Sequence, residues 1–152
     1  MKGLVLKKLQ GMDQFTLYRL VRGPAPGIPI YATRVCAGFP SPADDYLEQK
    51  LDLNQLLIKH PSATFFVRVE GHSMEGAGIF SGDILIVDRA LTPKQNDIIV
   101  CVLNGEFSVK RFRKQGGQIF LHAEHPDYPP LPVTAEMDFQ VWGVVPYVIH
   151  KT

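Results

Sequence analysis

Apolar residues and turn residues alternate through the second half of the chain in a pattern typical of short β-strands. Runs rich in Val, Ile, Leu and Phe predict strands over residues 64–70, 84–88, 97–103, 106–113, 118–122 and 139–149. Asn104-Gly105 separates two of these runs and is the strongest short-range signal for a hairpin. Gly143 interrupts the last run and predicts a bend in that strand. The pattern therefore predicts a mainly β domain built from twisted antiparallel sheets.

The chain before Thr64 has a different pattern. Residues 1–35 lack the sustained apolar periodicity that builds a core, and the prolines and glycines of residues 23–29 interrupt regular backbone hydrogen bonding. This predicts an N-terminal arm that is too short and too irregular for a helix-turn-helix unit. The small residues and prolines of residues 36–42 predict an extended, accessible backbone, which suits either a protease substrate or an ordinary linker.

A short helix is predicted between this segment and the first strand of the β-rich region. Asp52 is a favourable N-cap residue, and Gln55 stands three positions later, as in a capping box. Three leucines fall on one face of the helix and are interpreted as packing residues: Leu53, Leu56 and Leu57. Pro61 is expected to end the helical segment.

Length, charge and cysteine content narrow the class of protein. The chain has 152 residues, enough for one domain with a core, and its net charge of +1 gives no general attraction to nucleic acid. The basic run formed by Lys110, Arg111, Arg113 and Lys114 is interpreted as a solvated strand face. No stretch has the length of a secretory core or a membrane span. Cys36 and Cys101 do not imply a disulfide, which fits a reducing compartment, so we expect a cytoplasmic protein. Because the net charge is close to zero, we expect no strong direct binding to DNA.

Two residues are candidates for chemistry. Ser73 follows a predicted strand in Gly71-His72-Ser73-Met74, where a hydroxyl can project from a rigid edge. On the strand after the hairpin, alternation puts Lys110 on one face with Glu106, Ser108 and Phe112. A lysine can deprotonate a serine only when it is neutral, which requires burial among apolar groups. By themselves, the residues also fit a serine in a solvated turn and a solvated strand lysine.

Several stretches in the same order resemble the UmuD and LexA family of self-cleaving serine proteases, and within it the UmuD branch. The stretches are residues 36–42 and 44–57, His60-Pro61-Ser62-Ala63-Thr64, Gly71-His72-Ser73-Met74, residues 81–88, Gly105-Glu106-Phe107-Ser108-Val109-Lys110 and Gly143-Val144-Val145. The separation between Ser73 and Lys110 also matches the UmuD branch. The resemblance covers the chain from about residue 36 to the C-terminus. It implies one compact catalytic domain of the LexA/UmuD C-terminal type, preceded by a short helix and an extended arm.

The resemblance also implies roles for individual residues. Ser73 corresponds to the nucleophile and Lys110 to the general base, with backbone N–H groups near Ser73 and Met74 as the oxyanion site. The scissile bond corresponds to Ala37-Gly38. Ala37 is a departure from the UmuD pattern, which has cysteine directly before the glycine, so Cys36-Ala37 is the alternative bond. The family requires no cofactor and no metal.

Two histidine-containing motifs offer further alternatives. His72 stands where the UmuD branch has an acidic residue, and it could act as a third catalytic group, although a Ser/Lys pair needs no imidazole. His122 and His125 offer a ligand pair, but Pro126 follows directly and no further ligand has suitable spacing. We therefore expect His72 to point away from the serine, and we expect no metal site.

The implied organisation has three parts: residues 1–37 as an arm removed by self-cleavage, 38–60 as a linker with a short helix, and 61–152 as the protease and dimerisation domain. The implied function is in SOS mutagenesis. A RecA filament on single-stranded DNA acts as co-protease, and the processed homodimer joins a UmuC-like subunit of an error-prone translesion polymerase. The alternatives are a non-enzymatic interaction module of the same fold and a LexA-like regulator without a DNA-binding domain. A signal peptidase is disfavoured by the lack of a membrane anchor.

Overall fold

A computed structural model describes the backbone of residues 2–12, 15–24, 28–31 and 47–152, and the side chains of residues 51–152. Short irregular connections, two of them containing a single 3₁₀ turn, join the elements from residue 51 onward. The elements in chain order are β1 (Lys2–Met12), β2 (Phe15–Pro24), β3 (Ile28–Tyr31), β4 (Leu47–Leu51), α1 (Leu53–Leu57), β5 (Thr64–Val69), β6 (Ile84–Asp88), β7 (Ile98–Leu103), β8 (Glu106–Gln115), β9 (Gln118–His122), β10 (Leu131–Pro132) and β11 (Phe139–Ile149). The prediction of a mainly β fold is confirmed.

Nine of the described strands form one antiparallel sheet in the order β1-β2-β5-β6-β11-β7-β8-β9-β10, and β3 and β4 form a separate pair. The six strands predicted from residue 64 onward are all present. The expectation of an irregular N-terminal arm is wrong for β1 and β2, which form a hairpin. The hairpin joins the sheet because β2 pairs with β5, a strand far away along the chain that a local pattern does not reveal.

The core lies on both faces of the sheet. One cluster of buried side chains contains Val67, Val69, Met74, Ile79, Leu85, Val87, Val100, Val109 and Val145. A second cluster contains Ile99, Cys101, Phe112, Leu121 and Val144. Neighbouring residues of one strand belong to different clusters because successive side chains point to opposite faces. On β8, Val109 therefore faces the first cluster and Phe112 faces the second.

The predicted hairpin is confirmed, and a pairing irregularity lies at the position of the predicted bend. Asn104 and Gly105 connect β7 to β8 with φ angles of 50° and 83°, the left-handed values that a two-residue hairpin turn requires. In β11 the pairing with β7 shifts register between Val141 and Gly143. A Cβ atom on Gly143 would lie 2.5 Å from Val87 Cγ1, so this position has no room for a side chain.

The predicted short helix is confirmed as α1. The Asp52 carboxylate accepts a hydrogen bond of 2.8 Å from the Asn54 N–H, whereas the described residues include no reciprocal bond from Gln55. Leu57 packs on the core, but Leu53 and Leu56 are 48% and 47% exposed, so the packing interpretation holds for only part of the leucine face. No helix in the described ranges is long and apolar enough to cross a membrane.

Candidate active site

Ser73 lies in the loop between β5 and β6. Backbone hydrogen bonds from Val69 N–H to Asp83 O (3.0 Å) and from Gly82 N–H to Val69 O (2.8 Å) close the base of this loop. Ser73 is half-buried. Met74, the next residue, is only 4% exposed and packs in the first core cluster. The buried methionine therefore anchors the serine against the core.

His72 is directed away from the core, as expected. Its side chain is 72% exposed and its Nδ1 forms a hydrogen-bonded ion pair with the carboxylate of Glu75. No hydrogen bond between His72 and Ser73 occurs in the described part of the chain. The His72 imidazole is therefore hydrogen-bonded to Glu75 on the solvent side of the loop.

Ser73 opens into a small pocket beside β8. The pocket has a volume of about 50 Å³ and is lined by Val69, Glu70, Gly71, Ser73, Met74, Ile79, Ser108 and Val109. Such a volume admits only a small group, comparable to one or two water molecules. The serine and residues 108–109 of β8 therefore share one cavity.

Lys110 directly follows those two residues on β8. It lies on the same strand face as Ser108 and Phe112, and its cross-strand partner is Ile99. The side chain is half-buried, and burial lowers the pKa of the Lys110 ammonium, while the nearby Cys101 opposes this effect. No hydrogen bond joins Ser73 to Lys110 directly. The structure thus brings the serine to the segment of β8 that precedes the lysine, and it partly buries the lysine.

The two halves of β8 differ in strand pairing. Glu106 to Arg111 pair with β7 on one side, whereas β9 pairs on the other side only with residues 111–115. The pocket residues Ser108 and Val109 therefore lie on the half of β8 that β9 does not reach.

The backbone N–H groups of Ser73 and Met74 donate no hydrogen bond to another described residue. By contrast, the Met74 carbonyl accepts from the N–H groups of both Ala77 (3.0 Å) and Ile79 (3.2 Å). At Met74 the loop backbone is thus held through the carbonyl group, and the two adjacent N–H groups of Ser73 and Met74 remain available. A pair of this kind can stabilise an oxyanion.

The expected absence of a metal site concerns His122, Glu124 and His125. Within residues 51–152, no three His, Cys, Asp or Glu residues lie close enough together to hold a metal ion. Glu124 instead pairs with Arg111, and the His125 ring stacks edge-on against Tyr128. Ala37 and Gly38, the expected scissile pair, lie outside the described residues, as does Cys36.

Three residues near the site were not assigned roles from the sequence. Ser108 lines the pocket, and alternation had already put it on the face of Lys110, so that signal was present. Arg111 was interpreted as part of a solvated basic face, yet it bonds to Glu124. Glu124 stands in an irregular segment after β9, and no local pattern links it to β8.

Comparisons with known proteins agree with this architecture. The family model described as peptidase S24-like matches residues 29–146. The chain is 47% identical over 124 residues to protein SamA of Salmonella typhimurium strain LT2, an alignment covering 82% of this chain and 86% of SamA. It is 44% identical to protein ImpA of Escherichia coli, covering 82% and 84%. It is 36% identical to LexA repressor 1 of Pseudomonas putida, covering 82% and 61%. The chain therefore belongs to the peptidase S24-like family.

Proposed function

We propose that this chain is a self-cleaving serine peptidase of the SOS mutagenesis type, with Ser73 as nucleophile and Lys110 as general base. The observation that carries the proposal is the pocket shared by Ser73 and Ser108, next to a half-buried lysine whose pKa is lowered by burial. A neutral amine beside a serine is the requirement for removing the hydroxyl proton.

In the proposed reaction, neutral Lys110 takes the proton of the Ser73 hydroxyl while Oγ attacks the carbonyl carbon of Ala37. The N–H groups of Ser73 and Met74 stabilise the oxyanion. The bond between Ala37 and Gly38 then breaks, and the Gly38 amine leaves with the proton held by Lys110. Water hydrolyses the resulting ester, which releases the Ala37 carboxylate and restores Ser73.

The composition of residues 36–42 supports a binding mode for the substrate segment. These residues are rich in small residues and prolines, which favour extended backbone. An extended segment can bind to a protease as an added strand, so that main-chain hydrogen bonds hold it beside the serine. Cleavage at Cys36-Ala37 would require the same segment to shift by one residue.

The wider role follows the resemblance to the UmuD branch. Cleavage is stimulated by a RecA filament on single-stranded DNA, and the processed homodimer serves a UmuC-like subunit of a translesion polymerase in the cytoplasm. The chain is 47% and 44% identical to SamA and ImpA but 36% identical to LexA repressor 1, and this difference supports the role above over that of a LexA-like regulator.

The test is self-cleavage of the purified chain, with and without RecA, an ATP analogue and single-stranded DNA, followed by intact mass. We expect loss of residues 1–37. Ser73→Ala and Lys110→Ala should each reduce the rate about a thousand-fold or more, since the two residues act as a unit. The matched controls are Ser62→Ala and Lys114→Ala at exposed positions, and these should cleave at the wild-type rate.

Cleavage that persists in Ser73→Ala rules out the dyad. If the wild-type chain is not cleaved under any of these conditions, the non-enzymatic interaction module is the better reading.

A further inference from the structure

Glu124 contacts residues that lie close in the chain to each member of the proposed dyad. Its backbone carbonyl accepts a hydrogen bond of 2.8 Å from the N–H of Gly76, three residues after Ser73. Its carboxylate accepts a hydrogen bond from Nε of Arg111, the residue directly after Lys110. Glu124 is therefore a polar link between the serine loop and the lysine strand.

The contact between Gly76 and Glu124 is close. A Cβ atom on Gly76 would lie 2.6 Å from the Glu124 carbonyl oxygen, a separation that side chains do not tolerate. The φ angle of Gly76 is not in the left-handed region, so this glycine is required for space and not for conformation. The loop backbone can thus rest directly against the segment after β9.

The Arg111 guanidinium is held at one further point, the carbonyl of Asn96, which is itself fixed to β8. Its Nη1 donates a hydrogen bond of 2.7 Å to the carbonyl of Asn96, and the Asn96 N–H in turn donates one of 2.9 Å to the carbonyl of Phe112. The side chains of Arg111 and Glu124 are only 22% and 24% exposed. A partly buried pair with added hydrogen bonds is screened less than a surface pair, and loss of one partner leaves a charge uncompensated.

We propose that Arg111 and Glu124 are positioning residues that fix the distance between Ser73 and Lys110. The proposal rests on the proposed function, because it assigns these residues to the geometry of that dyad. Arg111 holds Glu124 to β8, and Glu124 holds the serine loop through Gly76. Since proton transfer and attack tolerate little displacement, a loop that shifts by about 1 Å loses roughly a hundredfold in rate.

The test measures the reactivity of Ser73 separately from binding of the substrate segment. Full-length protein is treated with a fluorophosphonate probe, and the labelled fraction is followed by intact mass. Arg111→Met should lower the labelling rate and the self-cleavage rate by about tenfold or more. The matched control is Arg113→Met, whose guanidinium bonds to the Asn96 side chain and not to Glu124. This control should label at the wild-type rate.

A charge-swapped variant, Arg111→Glu with Glu124→Arg, separates positioning from general loss of structure. The swap restores an ion pair between the same two positions, so labelling should recover to within about threefold of wild type. A misplaced serine lowers the plateau of the pH profile of labelling, the region in which Lys110 is neutral in every variant.

The proposal is overturned if Arg111→Met labels at the wild-type rate. It is also overturned if the swapped variant regains the wild-type thermal midpoint without regaining labelling. Failure of the proposed function looks different, because the wild-type chain itself would then be neither labelled at Ser73 nor cleaved.

Discussion

Lys110 is the residue whose environment decides the chemistry. An ammonium group loses hydration when it is half-buried, and this lowers the pKa of Lys110 from its ordinary value of 10.5. Cys101 acts in the opposite direction because a thiolate nearby would favour the ammonium. However, burial raises the pKa of the Cys101 thiol to about 11, so the thiol is neutral at lower pH and this opposition is weak.

The pH dependence of self-cleavage follows from this lowered pKa. The active form of Lys110 is neutral, so the rate should rise with pH and level off once the lysine is deprotonated. Because burial lowers the pKa, the midpoint should lie below 10.5. The measurement is the first-order rate of cleavage by intact mass between about pH 6 and pH 10, a range chosen to bracket a lowered lysine pKa.

Lys114→Ala is the control for this profile, since Lys114 is exposed on the same strand and should leave the midpoint unchanged. A rate that does not vary with pH, or a midpoint at or above 10.5, would contradict the role of Lys110 as a neutral base.

At the scale of single elements, β11 shows how one position can determine packing. Gly143 is buried where β11 shifts register against β7, and a Cβ there would meet Val87 Cγ1 at 2.5 Å and the Asp88 carbonyl oxygen at 3.3 Å. The second neighbour is backbone of β6, which cannot rotate away as a side chain can. Tight packing of β11 on β6 therefore depends on the absence of a side chain at residue 143.

Gly143→Ala should destabilise the fold by about 1–3 kcal/mol, the usual cost of overpacking a core. The measurement is equilibrium urea denaturation, comparing midpoints at unchanged slope. Glu136→Ala in an exposed turn is the control and should shift the free energy of unfolding by less than about 0.5 kcal/mol. Equal stability of Gly143→Ala and wild type would show that β6 and β11 can separate enough to admit a methyl group.

The sequence predicts those elements whose signals are local. The six predicted strands (β5 to β9 and β11), the Asn104-Gly105 turn and the α1 cap are each specified by residues within a few positions of one another. Pairing of β2 with β5 and the Arg111–Glu124 pair depend on contacts between distant parts of the chain. The alternation of side chains along the strand predicts the face on which Lys110 lies. Only the folded sheet, however, brings the serine loop to β8.

At the scale of the whole molecule, the sheet is continuous from the N-terminal hairpin to β10. β2 pairs with β5 through residues 15–19 and 65–69, so β5 is an interior strand in the intact chain. The proposed cleavage at Ala37-Gly38 separates β1, β2 and β3 from the rest of the chain. If those strands leave, β5 becomes an edge strand with unpaired backbone groups, which other chains can pair with.

Hydrogen exchange should report this change. In a chain that begins at Gly38, the amides of residues 65–69 that face β2 should exchange about tenfold faster or more than in the full-length Ser73→Ala protein, because they lose their hydrogen-bond partners. Amides of β7 are the internal control, since both of its neighbours, β8 and β11, are retained. Unchanged protection of residues 65–69 at a concentration where the shortened chain is monomeric would mean that the hairpin does not cover β5. Protection that returns as the concentration rises would instead show that a second copy pairs with the exposed edge.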